Sequence, residues 1–74
     1  MSSRKIHCEF PQQVLEEPLF FRISRDFNVV PNIRGAEVTE EKGYMDIELE
    51  GEQDEILRVI DYLRELGVEV TDLG

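Results

Sequence analysis

A single cysteine, Cys8, and a single histidine, His7, stand in a chain of 74 residues. One cysteine excludes a disulfide within the chain. One of each excludes a metal site rich in either ligand. No stretch approaches the ~20 apolar residues of a membrane span. The N-terminal Met-Ser-Ser-Arg-Lys lacks the apolar run of a signal peptide, so the chain reads as cytoplasmic. Basic residues are also scarce: eight Lys and Arg stand against seventeen Asp and Glu, for a net charge of −9. The deficit lies in residues 35–74, which hold three basic and thirteen acidic side chains, whereas residues 1–34 hold five and four. Such a surface repels phosphate backbones and argues against nucleic-acid binding. It suits a solvated, solubilising face. The length fits one domain, residues 1–74. A domain this small buries only roughly 60% of its unfolded surface. With disulfide and metal excluded, a partner chain is the remaining stabiliser, and the expectation is a homodimer.

What is present is strong periodicity. From Arg4 to Phe10, Ile6, Cys8 and Phe10 alternate with Lys5, His7 and Glu9, the pattern of a half-buried strand that Pro11 ends. In "EEPLFFRISRDFN", Leu19, Phe20, Ile23 and Phe27 share one helical face, Pro18 suits the first turn and Asn28 suits a left-handed stop. Residues 27–38, "FNVVPNIRGAEV", form a second strand. "TEEKGY" turns the chain, with Gly43 available for a positive-φ position. Met45, Ile47 and Leu49 then alternate with Tyr44, Asp46, Glu48 and Glu50 in a third strand. Residues 52–66 form a helix with Ile56, Val59, Ile60 and Leu63 as its buried stripe. It has an acidic first turn, an Asp54–Arg58 pair at i,i+4 and Gly67 as its stop. "VEV" is a fourth strand, with Val68 and Val70 inward.

The order β-α-β-β-α-β predicts an α+β, ferredoxin-like fold. Right-handed crossovers place two helices on one face of a four-stranded antiparallel sheet of order 4-1-3-2. The second and fourth strands are then edges, and the opposite face is open. This topology hosts many activities. RNA-recognition modules stack bases on strand aromatics and present a basic face. Here the corresponding positions include Lys5, His7, Glu9, Asp46 and Glu48, with Tyr44 the lone aromatic. Acylphosphatases need a glycine-rich phosphate cradle after the first strand, and here that loop, "PQQVLEEPL", has no glycine and two carboxylates. His7 reads as a surface residue, and Cys8 as a small buried apolar residue rather than a nucleophile. With no Ser/His/Asp set and no carboxylate in an apolar setting, the expectation is a protein that is not an enzyme and needs no cofactor.

The second strand is the remaining candidate. Proline within a sheet is confined to edges, strand starts and bulges, so Pro31 agrees with an edge. Val29 and Ile33 share one phase and Val38 lies in the other. One extra residue near Arg34–Gly35, a bulge, returns Val38 to the core face. With Ile33 inward, Asn32 faces the open side, where its amide offers a donor and an acceptor to an amino acid's charged groups. It could equally serve the backbone beside the bulge.

"FNVVPNIRGAEV", the acidic hairpin after it and "IELEGEQDEILRVIDYLRELGVEV" together resemble the NIL domain, over residues 3–73. That family is named for an Asn-Ile-Leu motif on its second strand. Here the motif reads Asn32-Ile33-Arg34, and the third position departs. The resemblance implies an ACT-like regulatory module of the kind found at the C-terminus of bacterial methionine-importer ATPases. There such modules pair, bind methionine and inhibit transport. It implies that Asn32 contributes to a methionine site. Other members are fused to iron–sulfur ferredoxin domains, so a transporter or ferredoxin-type partner is implied. With neither an ATPase segment nor cluster cysteines the chain is a free-standing version or an excised fragment, and the Met start and the close fit to the family's extent favour the former.

Two functions follow. The first is a sensor that binds a small amino acid, methionine, at a dimer interface through Asn32, Ile33, Arg34 and Gly35. The second is an interaction module without a small-molecule ligand, whose exposed edge docks a partner by strand addition.

Overall fold

The computed structural model describes residues 2–74. β1 (Ser2–Pro11) leads into a four-residue helix, α1 (Gln12–Leu15), and then α2 (Leu19–Asp26). β2 (Val29–Val38) and β3 (Lys42–Gly51) form a hairpin, followed by α3 (Gln53–Glu65) and β4 (Glu69–Asp72). The sheet is antiparallel with order β2-β3-β1-β4. This is the expected ferredoxin-like α+β fold, with β2 and β4 at the edges. α1 is an addition: "QQVL" is too short for periodicity to register, and it packs by burying Val14.

The buried layer follows the alternation. Ile6, Cys8 and Phe10 of β1 and Ile47 and Leu49 of β3 meet Leu19 and Ile23 of α2 and the α3 stripe of Ile56, Val59, Ile60 and Leu63. No polar or charged residue is buried among those described. α3 ends in a Schellman arrangement: Val68 N–H bonds Leu63 O and Gly67 N–H bonds Arg64 O, both at 3.1 Å, with Gly67 at φ +90°. Val68 is buried there, just before β4 begins.

Three local expectations are corrected. Gly43 has no positive φ; it lies within β3, where an added Cβ would stand 2.8 Å from a Leu15 methyl. Close approach of α1, and not a turn, is what a side chain there would meet. The turn is held instead by Thr39, whose Oγ1 accepts the N–H groups of Glu41 and Lys42. Asn28 is not left-handed either, because α2 stops when Phe27 turns extended, at φ −124° and ψ 147°. Finally, Arg58 pairs with Glu55 at 2.6 Å, one residue nearer than Asp54.

Cys8 is fully buried. Burial, with the Asp46 carboxylate adding to it, pushes the thiol from an ordinary 9.0 up to about 12. The unfolded thiol therefore ionises first. Stability from the buried neutral thiol is complete below pH 9 and is lost as pH rises from 9 toward 12. A thiol-specific reagent at pH 8 is expected to leave native Cys8 unmodified and to label it only in denaturant. The alkaline fall in stability should be steeper in the wild type than in Cys8→Ala, as read by urea titrations from pH 8 to 11.

Candidate functional site

β2 is an edge strand with a broken ladder. Ile33 pairs with Ile47 and Gly35 with Asp46, so Arg34 is the extra residue of a bulge. Directly opposed residues share a face. Val29, Pro31 and Ile33 thus lie on the helix side of the sheet, Val30 and Asn32 on the open side. After the bulge Ala36 and Val38 return to the helix side, opposite Met45 and Gly43. Residue parity therefore places the bulge and both phases correctly. It does not foresee exposure. Ile33 is 50% and Val38 64% exposed, because of β2 only Val29 is buried by the helical layer. Being in the core phase is not the same as being covered when the strand is an edge.

The four candidate residues separate. The Asn32 side chain is on the open face, and its Nδ2 donates to Glu50 Oε1 at 3.0 Å. Ile33 projects to the other side of the strand. Arg34 returns to the open face, donating from Nε and Nη2 to Glu48 Oε1 at 3.1 and 2.8 Å. This pairing holds the Glu48 carboxyl below its ordinary range. Gly35 adopts no positive φ, and a Cβ there would meet only Asp46 Oδ2, at an ordinary 3.7 Å. It marks the bulge without being required by a close approach.

The open face is organised around β3. Its alternate residues Asp46, Glu48 and Glu50 form a line of carboxylates, each met by a neighbour. Asp46 Oδ1 lies 2.7 Å from His7 Nδ1 on β1, and Glu48 and Glu50 take Arg34 and Asn32 from β2. Lys5 of β1 stands directly opposite Glu48. Beyond β4 the chain continues alongside β1 past Lys5, with Leu73 N–H on Lys5 O at 2.8 Å and Lys5 N–H on Gly74 O at 3.2 Å. A trough of about 350 Å³ results, lined by Lys5, Arg34, Asp46, Glu48 and Leu73 side chains over the Ile6 and Ile47 positions. Of the four candidate residues only Arg34 borders it. Gly35 instead borders a smaller depression beside His7 and Tyr44. Strand alternation puts Lys5, Asp46 and Glu48 on the open face, but no local signal brings Leu73 to them. Among the described residues no group of three His, Cys, Asp or Glu side chains could hold a metal, and no helix is long and apolar enough to cross a membrane.

A bulged edge strand on a βαββαβ sheet with one helical layer defines a ferredoxin-like α+β module. The family model of the NIL domain matches residues 4–72, and the chain belongs to that family. Among solved structures, the C-terminal domain of an ABC transporter ATP-binding protein from Enterococcus faecalis superposes with a TM-score of 0.81 at 24% identity. The match covers 96% of this chain and 83% of that one, and at that identity it speaks to the fold alone. No curated protein sequence matches the chain.

Proposed function

We propose that this chain is a regulatory module that binds a small amino acid, methionine first among candidates, at the β2 border of a pair of copies. The bound state is passed to a partner protein, an ATPase subunit of a transporter being the partner type that family and fold support. The observation that carries the reading is the break between Ile33 and Gly35 in a NIL-family chain. It leaves an amide, a guanidinium and an apolar side chain at one edge that no other strand covers. Asn32 and Ile33 lie on opposite sides of that edge, so a ligand touching both must straddle it, as one held between two copies can. A ligand with different affinity for two arrangements of the pair shifts their balance, which is how binding becomes a signal.

A second reading has its own support. The Asn32 amide is already engaged by Glu50, and β2 exposes Val30, Ile33 and Val38. An edge of that kind can dock a partner's strand with no small ligand. Titration calorimetry with the twenty amino acids separates the two. The sensor predicts heat from methionine that Asn32→Ala abolishes. It also predicts a rise in Tm of about 10–20 °C at a hundredfold excess over Kd. No heat from any amino acid, in a protein that still self-associates, leaves the docking module.

A further inference from the structure

The helical layer stops short of the β2 edge. α2 packs on β2, yet only Val29, at the start of that strand, is buried. Farther along, Ile33, Ala36 and Val38 lie on the helix side and are all exposed. This apolar strip runs into a crevice of about 100 Å³ lined by Phe10, Leu19, Phe20 and Met45. Met45 joins the two, because it lines the crevice and stands opposite Ala36. Carboxylates border the apolar ground. Glu17 lines the crevice, and Glu16 and Glu41 share a depression at the α1 end. Glu40 and Glu41 follow Val38 in the turn. Among the described residues Glu16, Glu40 and Glu41 make no ion pair. Lys42, the base beside them in the chain, is turned to Glu9 at 3.8 Å.

We propose that this strip seats an amphipathic helix of a partner protein, apolar on the face toward Ile33 and Val38 and rich in Lys or Arg along its flanks. A sheet buries its apolar face under helices, and a helix laid beside α2 continues the existing layer to the edge. Its apolar stripe covers Ile33, Ala36 and Val38 and sends a side chain into the crevice. Its flanking cations meet Glu16, Glu40 and Glu41. The same patch of a second copy fits worse, since it sets those carboxylates against their own kind in a chain of net charge −9. A strand added at the β2 edge engages backbone groups and leaves the side-chain strip uncovered. The inference rests on the chain having a protein partner, which both readings above share, and it gives that partner a surface and a chemistry.

The probe is a synthetic amphipathic peptide with leucine on one helical face and lysine on the other, titrated into the whole nitrogen-15-labelled chain and followed by NMR. Its controls are a scrambled peptide of the same composition and one with glutamate in place of lysine. Amide shifts are expected to concentrate at residues 33–38, Met45 and the α1–α2 region, with the peptide turning helical by circular dichroism. Both control peptides should bind at least about tenfold more weakly. The double variant Ile33→Ser/Val38→Ser changes exposed side chains only, so it should keep the wild-type Tm and lose at least about tenfold in affinity. Phe21→Ser/Leu57→Ser, a pair exposed elsewhere, should leave affinity unchanged. Glu40→Gln/Glu41→Gln should weaken binding and flatten its salt dependence. No binding, or equal loss in the Phe21/Leu57 pair, overturns the proposal. A peptide bound in extended form at the β2 backbone also overturns it, in favour of strand addition. Self-association of the free chain that disappears in Ile33→Ser/Val38→Ser, read by sedimentation, assigns the strip to a second copy and overturns it too. Methionine heat from a wild type that ignores the peptide overturns this seat and spares the sensor reading.

Discussion

Phe10→Ala is expected to remove about 3–5 kcal/mol of folding stability. A domain of this length holds about 4–11 kcal/mol in all, so the variant loses a large fraction of its stability. Phe10 ends the inward row of β1, is 1% exposed, and meets Phe20 edge-on at a centroid distance of 6.2 Å. It already borders a crevice of about 100 Å³ shared with Val14, Leu15, Leu19 and Met45. Truncation would enlarge a space whose walls come from β1, α1, α2 and β3. Four elements anchored elsewhere cannot all move inward to refill it, which puts the cost at the upper end of the range. Urea denaturation followed by circular dichroism measures it, with the midpoint lowered and the slope unchanged. A loss under 1 kcal/mol would mean that the α1 end of the core is not packed as described.

Gly51→Ala is expected to cost about 1–3 kcal/mol, and Gly43→Ala clearly less. Both glycines lie on the helix side of β3, and at both an added Cβ is crowded. At Gly43 the nearest atoms are the Leu15 methyls, at 2.8 and 3.0 Å. They sit at the far end of a side chain on a four-residue helix and can rotate aside. At Gly51 the nearest atom is the backbone oxygen of Asn28, at 2.7 Å, with Val29 Cγ2 at 3.2 Å. Asn28 joins α2 to β2, and Val29 is the first residue of the β2–β3 ladder, paired with Gly51 itself. The oxygen can withdraw only if that strand start is displaced, so the strain spreads into β2. Paired urea titrations of the two variants check the order. Equal costs would show that the strand start is freer than the geometry implies. Displacement of β2 would also loosen the edge that carries the bulge, so Gly51→Ala should weaken any amino-acid binding at that border.

The candidate site was legible in the sequence to an uneven degree. Parity between Val29, Ile33 and Val38 located the bulge, because a strand's two-residue period turns one inserted residue into a change of phase that spacing alone reveals. The same period put Asn32 on the open face. What each side chain touches there was not legible. Asn32 meets Glu50 and Arg34 meets Glu48 through the β2–β3 register, and Lys5 faces Glu48 through pairing between strands more than thirty residues apart. Gly43 shows the opposite failure. A glycine beside "TEEK" carries a strong turn signal, yet its neighbour in space is Leu15, on a helix too short to announce itself.

By itself the sequence determined the order of elements, the identity of the buried layer, the family and the irregularity of the second strand. Each of these is written in local spacing, which persists whatever the chain packs against. Only the tertiary structure decided that Ile33 and Val38 stay uncovered at an edge, that the Asn32 amide is already bonded, and that Leu73 closes a mixed-charge trough with Lys5 and Asp46. Those are facts about which distant residues meet. Burial and charge balance are properties of the neighbours that folding supplies, and no single stretch of chain contains its own.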